Sequence, residues 1–193
     1  MEADLVIGVP DSGIPAAIGF SQASGIPYAD GLIKNRYVGR TFIQPTQAMR
    51  EAGIRVKLNP LPDVLAGKRI VVIDDSIVRG TTSRKLVVAL REAGATEVHM
   101  RISSPPVTHP CFYGIDTDTQ DQLIAARLTL KEIEEQLKVD SLAYLSKQGM
   151  VDAARAESGD FCTACFDGNY PIEMDRELLA SKLMLEPAGI AGQ

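Results

Sequence analysis

Leu5 to Val9 is a short run rich in β-branched residues that stops at Pro10. The residues after it, DSGIPAAIGFSQASG, space their alanines and apolar side chains at helical intervals up to Gly25. A strand, a turn and a helix are predicted. IPYADGLI predicts a second short strand. From Lys34 the chain then runs KNRYVGRTFIQPTQAMREAGIRVKLNPLPDVLAGK, more than thirty residues without a clear core-forming element. In compact domains such a run is a functional loop or a disordered segment. Arg69 to Ile73 is the strongest strand signal. Thr82 to Ala93 has helical spacing, with Gly94 as its stop. VHMRISS predicts a strand, TLKEIEEQLKV an amphipathic helix opened by Thr129, SLAYLS a late strand and QGMVDAARA a helix. Strands alternating with helices imply parallel βαβ units and a sheet covered on both faces, an α/β fold. After Glu157 the character changes: GDFCTACFDGNYPIEM is turn-rich and bears cysteines, and DRELLASKLML predicts a short closing helix. No internal repeat or low-complexity segment is visible.

Length allows one sizeable core with a smaller appendage, since 193 residues hardly make two full domains. Hydrophobic residues at 45% and charged residues at 23% are ordinary for a globular chain and leave no compositional case for disorder. The longest apolar runs are far too short to cross a bilayer, and MEADLVIGV has no basic signal-like start. The expectation is a cytoplasmic protein with no membrane partner. A net charge of -5 argues against nucleic acid as a general partner. Charge is unevenly spread, however. Lys34 to Lys57 carries six basic residues against one acid, Glu51, so this stretch is locally +5 and suits an anionic ligand. Three cysteines are an odd count, which disfavours a closed disulfide framework and leaves free thiols or a metal.

The stretch RIVVIDDSIVRGTTS carries the chemistry. In an extended strand Asp74 and Asp75 would point to opposite faces, so they can act together only where the strand ends. At the carboxyl edge of a parallel sheet the chain turns toward the next helix, and open α/β folds bind ligands there. The following turn can offer backbone N–H groups and the hydroxyls of Thr81, Thr82 and Ser83 at the positive end of that helix, a phosphate site. Acids beside a phosphate cradle suit a sugar phosphate, with carboxylates on ribose hydroxyls or a magnesium shell. A lone Asp-Asp pair would more simply be a turn former and the threonines a cap. An apolar strand, two acids, a spacer and Gly-Thr-Thr opening a helix point beyond that.

VVIDDSIVRGTTS resembles the phosphoribosyl diphosphate (PRPP) signature of type I phosphoribosyltransferases, and its ending SIVRGTTS is similar to that of the glutamine PRPP amidotransferases. The resemblance extends to VIGVPDSGIPAAIGF, GLIKNRYVGRTFIQP, YGIDT and FCTACFDGNYP, so it covers nearly the whole chain. It implies a parallel-sheet, Rossmann-like phosphoribosyltransferase core over residues 1–150 and a helical, cysteine-bearing extension over 151–193. By the same resemblance Asp74 and Asp75 bind the ribose hydroxyls with Mg2+ nearby. Ser76 belongs to the substrate site, and Val78, Arg79, Gly80, Thr81, Thr82 and Ser83 wrap the 5'-phosphate. Pro10, Asp11, Ser12 and Gly13 resemble the diphosphate loop, with Ser12 helping to hold the metal. Read alone, those residues are a turn and cap before the first helix. Lys34, Asn35, Arg36, Tyr37 and Arg40 resemble a catalytic loop that folds over PRPP; the plainer reading is a solvated basic loop.

The implied activity is departure of diphosphate from C1 of the ribose and attack by ammonia to give 5-phosphoribosylamine, the first step of purine synthesis. A non-catalytic PRPP-binding regulator of the same fold is the alternative, and Lys34 to Arg40 discriminates, because a sensor needs no basic lid. Cys162 and Cys165 form C-x-x-C with Cys111 some fifty residues earlier, which by itself fits a zinc knuckle, a redox pair or three buried thiols. The iron–sulfur class of the family implies instead three ligands of a [4Fe–4S] cluster, the fourth lying upstream of Met1. The family's glutaminase part has no counterpart here, so the expectation is a fragment of a longer enzyme whose ammonia comes from elsewhere and which exposes apolar surface. The resemblance also implies purine nucleotides as inhibitors and a homo-oligomer. His99, within a strand, is expected to be a satisfied core or surface residue.

Overall fold

The computed structural model describes residues 2–35, 58–115, 117, 119–155 and 159–172. Its first ordered pattern is the one the apolar runs demand. Strand β1 (Leu5–Gly8), β4 (Arg69–Asp74), β5 (Glu97–Ile102) and β6 (Ser141–Tyr144) form a parallel sheet in the order β1-β4-β5-β6. The registers Gly8↔Ile73, Asp74↔Ile102 and Ile102↔Tyr144 bring the carboxyl ends of the strands to one edge. Ile70, Val71, Val72 and Ile73 are each at most 3% exposed, so β4 is buried on both faces, and its unbroken apolar run follows from that.

Successive side chains on β4 serve opposite layers. Ile70 and Val72 join Leu86, Leu90, Val98, Met100, Ile133 and Leu137 in the larger core, beneath α3 (Thr81–Glu92) and α5 (Leu130–Leu137). Val71 and Ile73 face the other way, with Val6 and Ala17, against α1 (Gly13–Ser24). The expected doubly covered sheet is therefore present on β1 and β4. The predicted helix opened by Thr129 has a full capping box: Thr129 Oγ1 accepts from the Glu132 N–H, and the Thr129 N–H donates to Glu132 Oε2 at 2.7 Å.

On β5 the face turned away from the larger core is polar, and the buried groups on it are paired. His99 is 7% exposed, with Nδ1 2.9 Å from Ser141 Oγ and Nε2 3.0 Å from Glu97 Oε2. Arg101 donates to the same Ser141 hydroxyl at 3.0 Å and to the Met100 carbonyl at 2.6 Å. His99 is thus the satisfied residue expected of it.

Two expectations need correction. IPYADGLI does not form one strand. Tyr28 makes a single parallel bridge to Val6, and β2 (Leu32–Lys34) turns away after Asp30 and Gly31 to pair antiparallel with β3 (Leu58–Pro60). The long run after Lys34 also contains core-forming elements: β3 and the short α2 (Pro62–Leu65) bury Leu58 and Leu65. Elements of three or four residues are too short to show a period, which is why the run looked unstructured. Beyond α5, the small helices α6 (Lys147–Ala153) and α7 (Ala164–Asp167) carry the predicted late helix and the cysteine segment. The predicted closing helix, 175–185, lies outside the described residues.

The amino edge of the sheet holds an ion pair. The Arg69 backbone and guanidinium donate to Asp4, with Nη2 2.9 Å from Asp4 Oδ1, and this hydrogen bonding holds the Asp4 carboxyl down at about 2. A depressed folded value contributes stability above the ordinary 3.8 that is lost as pH falls through about 2. Asp4→Asn is therefore expected to lower stability at neutral pH and to flatten the acid limb over that window, read by denaturant unfolding as a function of pH. An unchanged acid limb would refute the assignment.

Candidate functional site

β1 and β4 are neighbours in register, so the loops leaving them, Val9 to Ser12 and Asp75 to Gly80, start side by side at the carboxyl edge. One backbone bond ties the first loop to β4, the Val9 N–H donating to the Ile73 carbonyl at 2.8 Å, and a second closes that loop on itself, the Gly13 N–H donating to the Val9 carbonyl at 2.9 Å. At Gly13 the start of α1 sits directly on β4. A Cβ there would lie 2.5 Å from the Ile73 carbonyl oxygen and 3.5 Å from Asp74 Cα, so only glycine allows the approach. Asp11 and Ser12 are exposed just above this contact. Ser12 occupies the N-cap position of α1, yet its hydroxyl makes no capping hydrogen bond. The turn-and-cap reading therefore does not use the Ser12 side chain. The Pro10–Asp11 peptide is cis.

Asp74 ends β4 and Asp75 begins the turn. The Asp75 N–H donates to Asp74 Oδ1 at 2.9 Å and the Ser76 N–H to Asp75 Oδ1 at 2.8 Å. Burial, and next the charge of Asp75, push the Asp74 carboxyl up to about 7. One backbone donor, the Asp75 N–H, does not offset that burial, and a sugar hydroxyl or a hard cation would suit the charged form. Ile77, 1% exposed, anchors the turn in the larger core, and the Val78 carbonyl accepts from the Ile124 N–H of α4 (Ile124–Arg127) at 2.9 Å. Gly80 then takes φ +77°, a left-handed conformation that opens α3. No side chain caps the first turn of α3 and no acid sits in it, while Thr81 and Thr82 are exposed and Ser83 is buried. A helix start of this kind suits an anion.

Lys34, at the end of β2, reaches across to the first loop and forms an ion pair with Asp11, twenty-three residues away in sequence. The structure thus brings together Asp11, Ser12, Gly13, Lys34, Asp74 and Asp75 from three separate segments. Arg36, Tyr37 and Arg40 lie outside the described residues. The Asp11–Lys34 contact was not anticipated: the sequence placed both residues near the same ligand, and nothing local signalled that they would meet each other.

The cysteines occupy two segments tied together. The Thr108 and His109 N–H groups both donate to the Cys165 carbonyl at 3.0 Å, and Tyr170 Oη donates to the Pro110 carbonyl at 2.7 Å. Tyr170 packs on Phe112 and Tyr113 with ring centroids 5.2 and 6.1 Å apart. Burial, then the thiols of Cys111 and Cys165, raise the Tyr170 hydroxyl, with Cys162 contributing less. Burial and the neighbouring Cys111 likewise raise Cys165. Cys162 is exposed, Cys111 and Cys165 are half-buried, and the Tyr113 N–H donates to Cys111 Sγ at 3.4 Å. Among the described residues no group of three His, Cys, Asp or Glu side chains could hold a metal ion. All three thiols act on the Tyr170 hydroxyl, so they share one neighbourhood. His109 packs on Gly168, where a Cβ would lie 2.8 Å from its Nε2, and its Nδ1 is 2.9 Å from Thr108 Oγ1. Large apolar side chains stand exposed on this side: Ile115, Phe161 and Ile172.

Residues 1–103 match a family described as the phosphoribosyl transferase domain. The chain is 78% identical to the amidophosphoribosyltransferase of Synechococcus elongatus over 96% of its own length and 38% of that protein, and 58% identical to that of Bacillus subtilis over 90% and 37%. It spans well under half the length of these relatives. A solved structure of the glutamine PRPP amidotransferase from B. subtilis, complexed with ADP and GMP, superposes with a TM-score of 0.81 at 57% identity, covering 92% of this chain and 40% of that one. With a four-stranded parallel core and two adjacent loops at its carboxyl edge, the chain belongs to the phosphoribosyl transferase domain family.

Proposed function

We propose that this chain carries the phosphoribosyl-transfer site of an amidophosphoribosyltransferase, joining ammonia to C1 of PRPP and releasing diphosphate as the first step of purine synthesis. The observation that carries the reading is the juxtaposition at one sheet edge of two acids, an uncapped helix start and a loop fastened to β4 through Gly13. The acids suit ribose hydroxyls, and the first turn of α3 suits the 5'-phosphate. The Pro10–Gly13 loop and Lys34 suit the diphosphate, whose charge grows as the C1–oxygen bond breaks. Ammonia needs no protein nucleophile. Lys34 lying over the first loop supports an enzyme rather than a sensor. Diphosphate release from PRPP with ammonium as acceptor tests the reading; release that is independent of ammonium, or equal rates in wild type and Asp74→Asn/Asp75→Asn, would refute it.

Oxygen donors of this kind suit Mg2+, which Asp74, Asp75 and the uncommitted Ser12 hydroxyl would hold. Bound there, it would neutralise the leaving diphosphate. Cys111, Cys162 and Cys165 would hold a [4Fe–4S] cluster that cross-links two segments otherwise joined by hydrogen bonds. Anaerobic preparation is expected to give iron, sulfide and a broad visible absorbance, lost in Cys165→Ser along with part of the thermal stability. Zinc without sulfide would overturn the cluster. The ADP and GMP bound by the B. subtilis neighbour support purine nucleotides as regulators, and we place the protein in the cytoplasm as a homo-oligomer. No described helix is long and apolar enough to cross a membrane.

A further inference from the structure

We infer that Asp11 is a positioning residue that competes with the incoming anion for Lys34. Its carboxylate stands in for a diphosphate oxygen until the ligand displaces it. This rests on the site reading given above.

Asp11 sits in the first loop, two residues before the Gly13 contact with β4, and its carboxylate pairs with the Lys34 ammonium. An anion entering that loop therefore meets a lysine that is already neutralised. To use Lys34, the anion must take it from Asp11. The pair is weak enough to exchange, because the Asp11 side chain is 67% exposed and that of Lys34 32%, and exposed ion pairs contribute little net attraction. The arrangement also solves a problem of placement. A flexible lysine with no partner would sample many rotamers and lose that freedom on binding. Held by Asp11, Lys34 already lies at the mouth of the loop. The same carboxylate takes the ammonium back after reaction and so favours release of the diphosphate product. Asp11 thereby lowers affinity for the product in return for a lysine kept in place.

The family resemblance implies the opposite part for Asp11, a residue that binds substrate. A carboxylate facing a tetra-anionic ligand has no attractive role unless a cation stands between them. Among the described residues, Lys34 is a cation that the Asp11 carboxylate contacts.

The test is a calorimetric titration of inorganic diphosphate, at fixed magnesium, into wild type, Asp11→Asn, Lys34→Gln and the double variant. Asp11 is exposed, so Asp11→Asn is expected to keep the thermal midpoint. The expected result is tighter diphosphate binding by Asp11→Asn, about three- to five-fold at low salt and less at high salt. Lys34→Gln is expected to bind more weakly, and in that background Asp11→Asn is expected to change affinity less than about two-fold. Unchanged or weaker binding by Asp11→Asn overturns the inference. Equal or greater tightening in the Lys34→Gln background also overturns it, since Asp11 would then act by plain repulsion. If wild type binds diphosphate and the variants do not differ, only this inference fails. If no form binds diphosphate, the site reading fails with it.

Discussion

Asp74→Asn/Asp75→Asn is expected to lose about 10²- to 10⁴-fold in kcat/KM for PRPP while folding at least as stably as wild type. The first half follows from what the acids would hold. Hydrogen bonds to a charged group contribute about 1.5–3 kcal/mol each, and each 1.4 kcal/mol is a factor of ten, so two of them span that range even when they overlap. Asparagine keeps an oxygen at the Oδ1 position, which accepts from the Asp75 and Ser76 N–H groups, so the turn retains its local bonds. The second half follows from burial. Asp74 already sits where burial and the adjacent carboxylate disfavour its charge, so a neutral isostere relieves a cost rather than adding one. A purely structural acid pair would behave in the reverse manner, with stability falling and turnover following it. Ammonium-dependent diphosphate release and thermal unfolding, measured on the same preparations, separate the two. Retention of wild-type kcat/KM would remove Asp74 and Asp75 from the site.

Gly13→Ala is expected to be severe for a single methyl group, costing about 3 kcal/mol of stability and more activity than that loss explains. The new Cβ would stand 2.5 Å from the Ile73 carbonyl oxygen and 3.4 Å from its carbon. Both belong to the backbone of a strand buried on both faces, so no side chain can turn aside and α1 or β4 must shift. Overpacking in a filled core costs about 1–3 kcal/mol, and a backbone neighbour places this case at the upper end. A shift there separates the first loop from Asp74, and misplacement by about 1 Å costs roughly 10²-fold in rate. Gly19→Ala in the same helix is the control. Nothing lies within 4 Å of its added Cβ, so it is expected to stabilise by about 0.5–1 kcal/mol and leave turnover alone. Denaturant midpoints for the two variants check the contrast; equal midpoints would show that the close approach at Gly13 is not required.

The difference between these two glycines is invisible in GIPAAIGF, where both open or continue a helix. What the chain makes legible by itself is local. Apolar runs broken by Pro10 and by Asp74 predict β1 and β4, and the spacing of Leu86, Val87 and Leu90 predicts the buried stripe of α3. Two acids at the end of the most apolar strand, followed by Gly80 and hydroxyl residues, predict a site. Each of those signals is a period or a break within about a dozen residues, and side-chain alternation or helical pitch converts it directly into a face. The three-residue strand β3 escaped, and β2 was met only at Leu32 and Ile33 by a longer predicted strand, because pairing alone defines both, Leu32 with Pro60 across a gap of more than twenty residues.

The tertiary structure decided which separate segments meet. Parallel pairing of β1 with β4 set two loops side by side, Gly13 fixed their separation, and the return of β2 to that edge brought Lys34 onto Asp11. Cys111 and Cys165 came together because backbone bonds dock residues 108 and 109 on α7. None of these encounters leaves a mark in the spacing of residues, because each depends on the packing of a whole sheet and not on the conformational preference of the residues that meet.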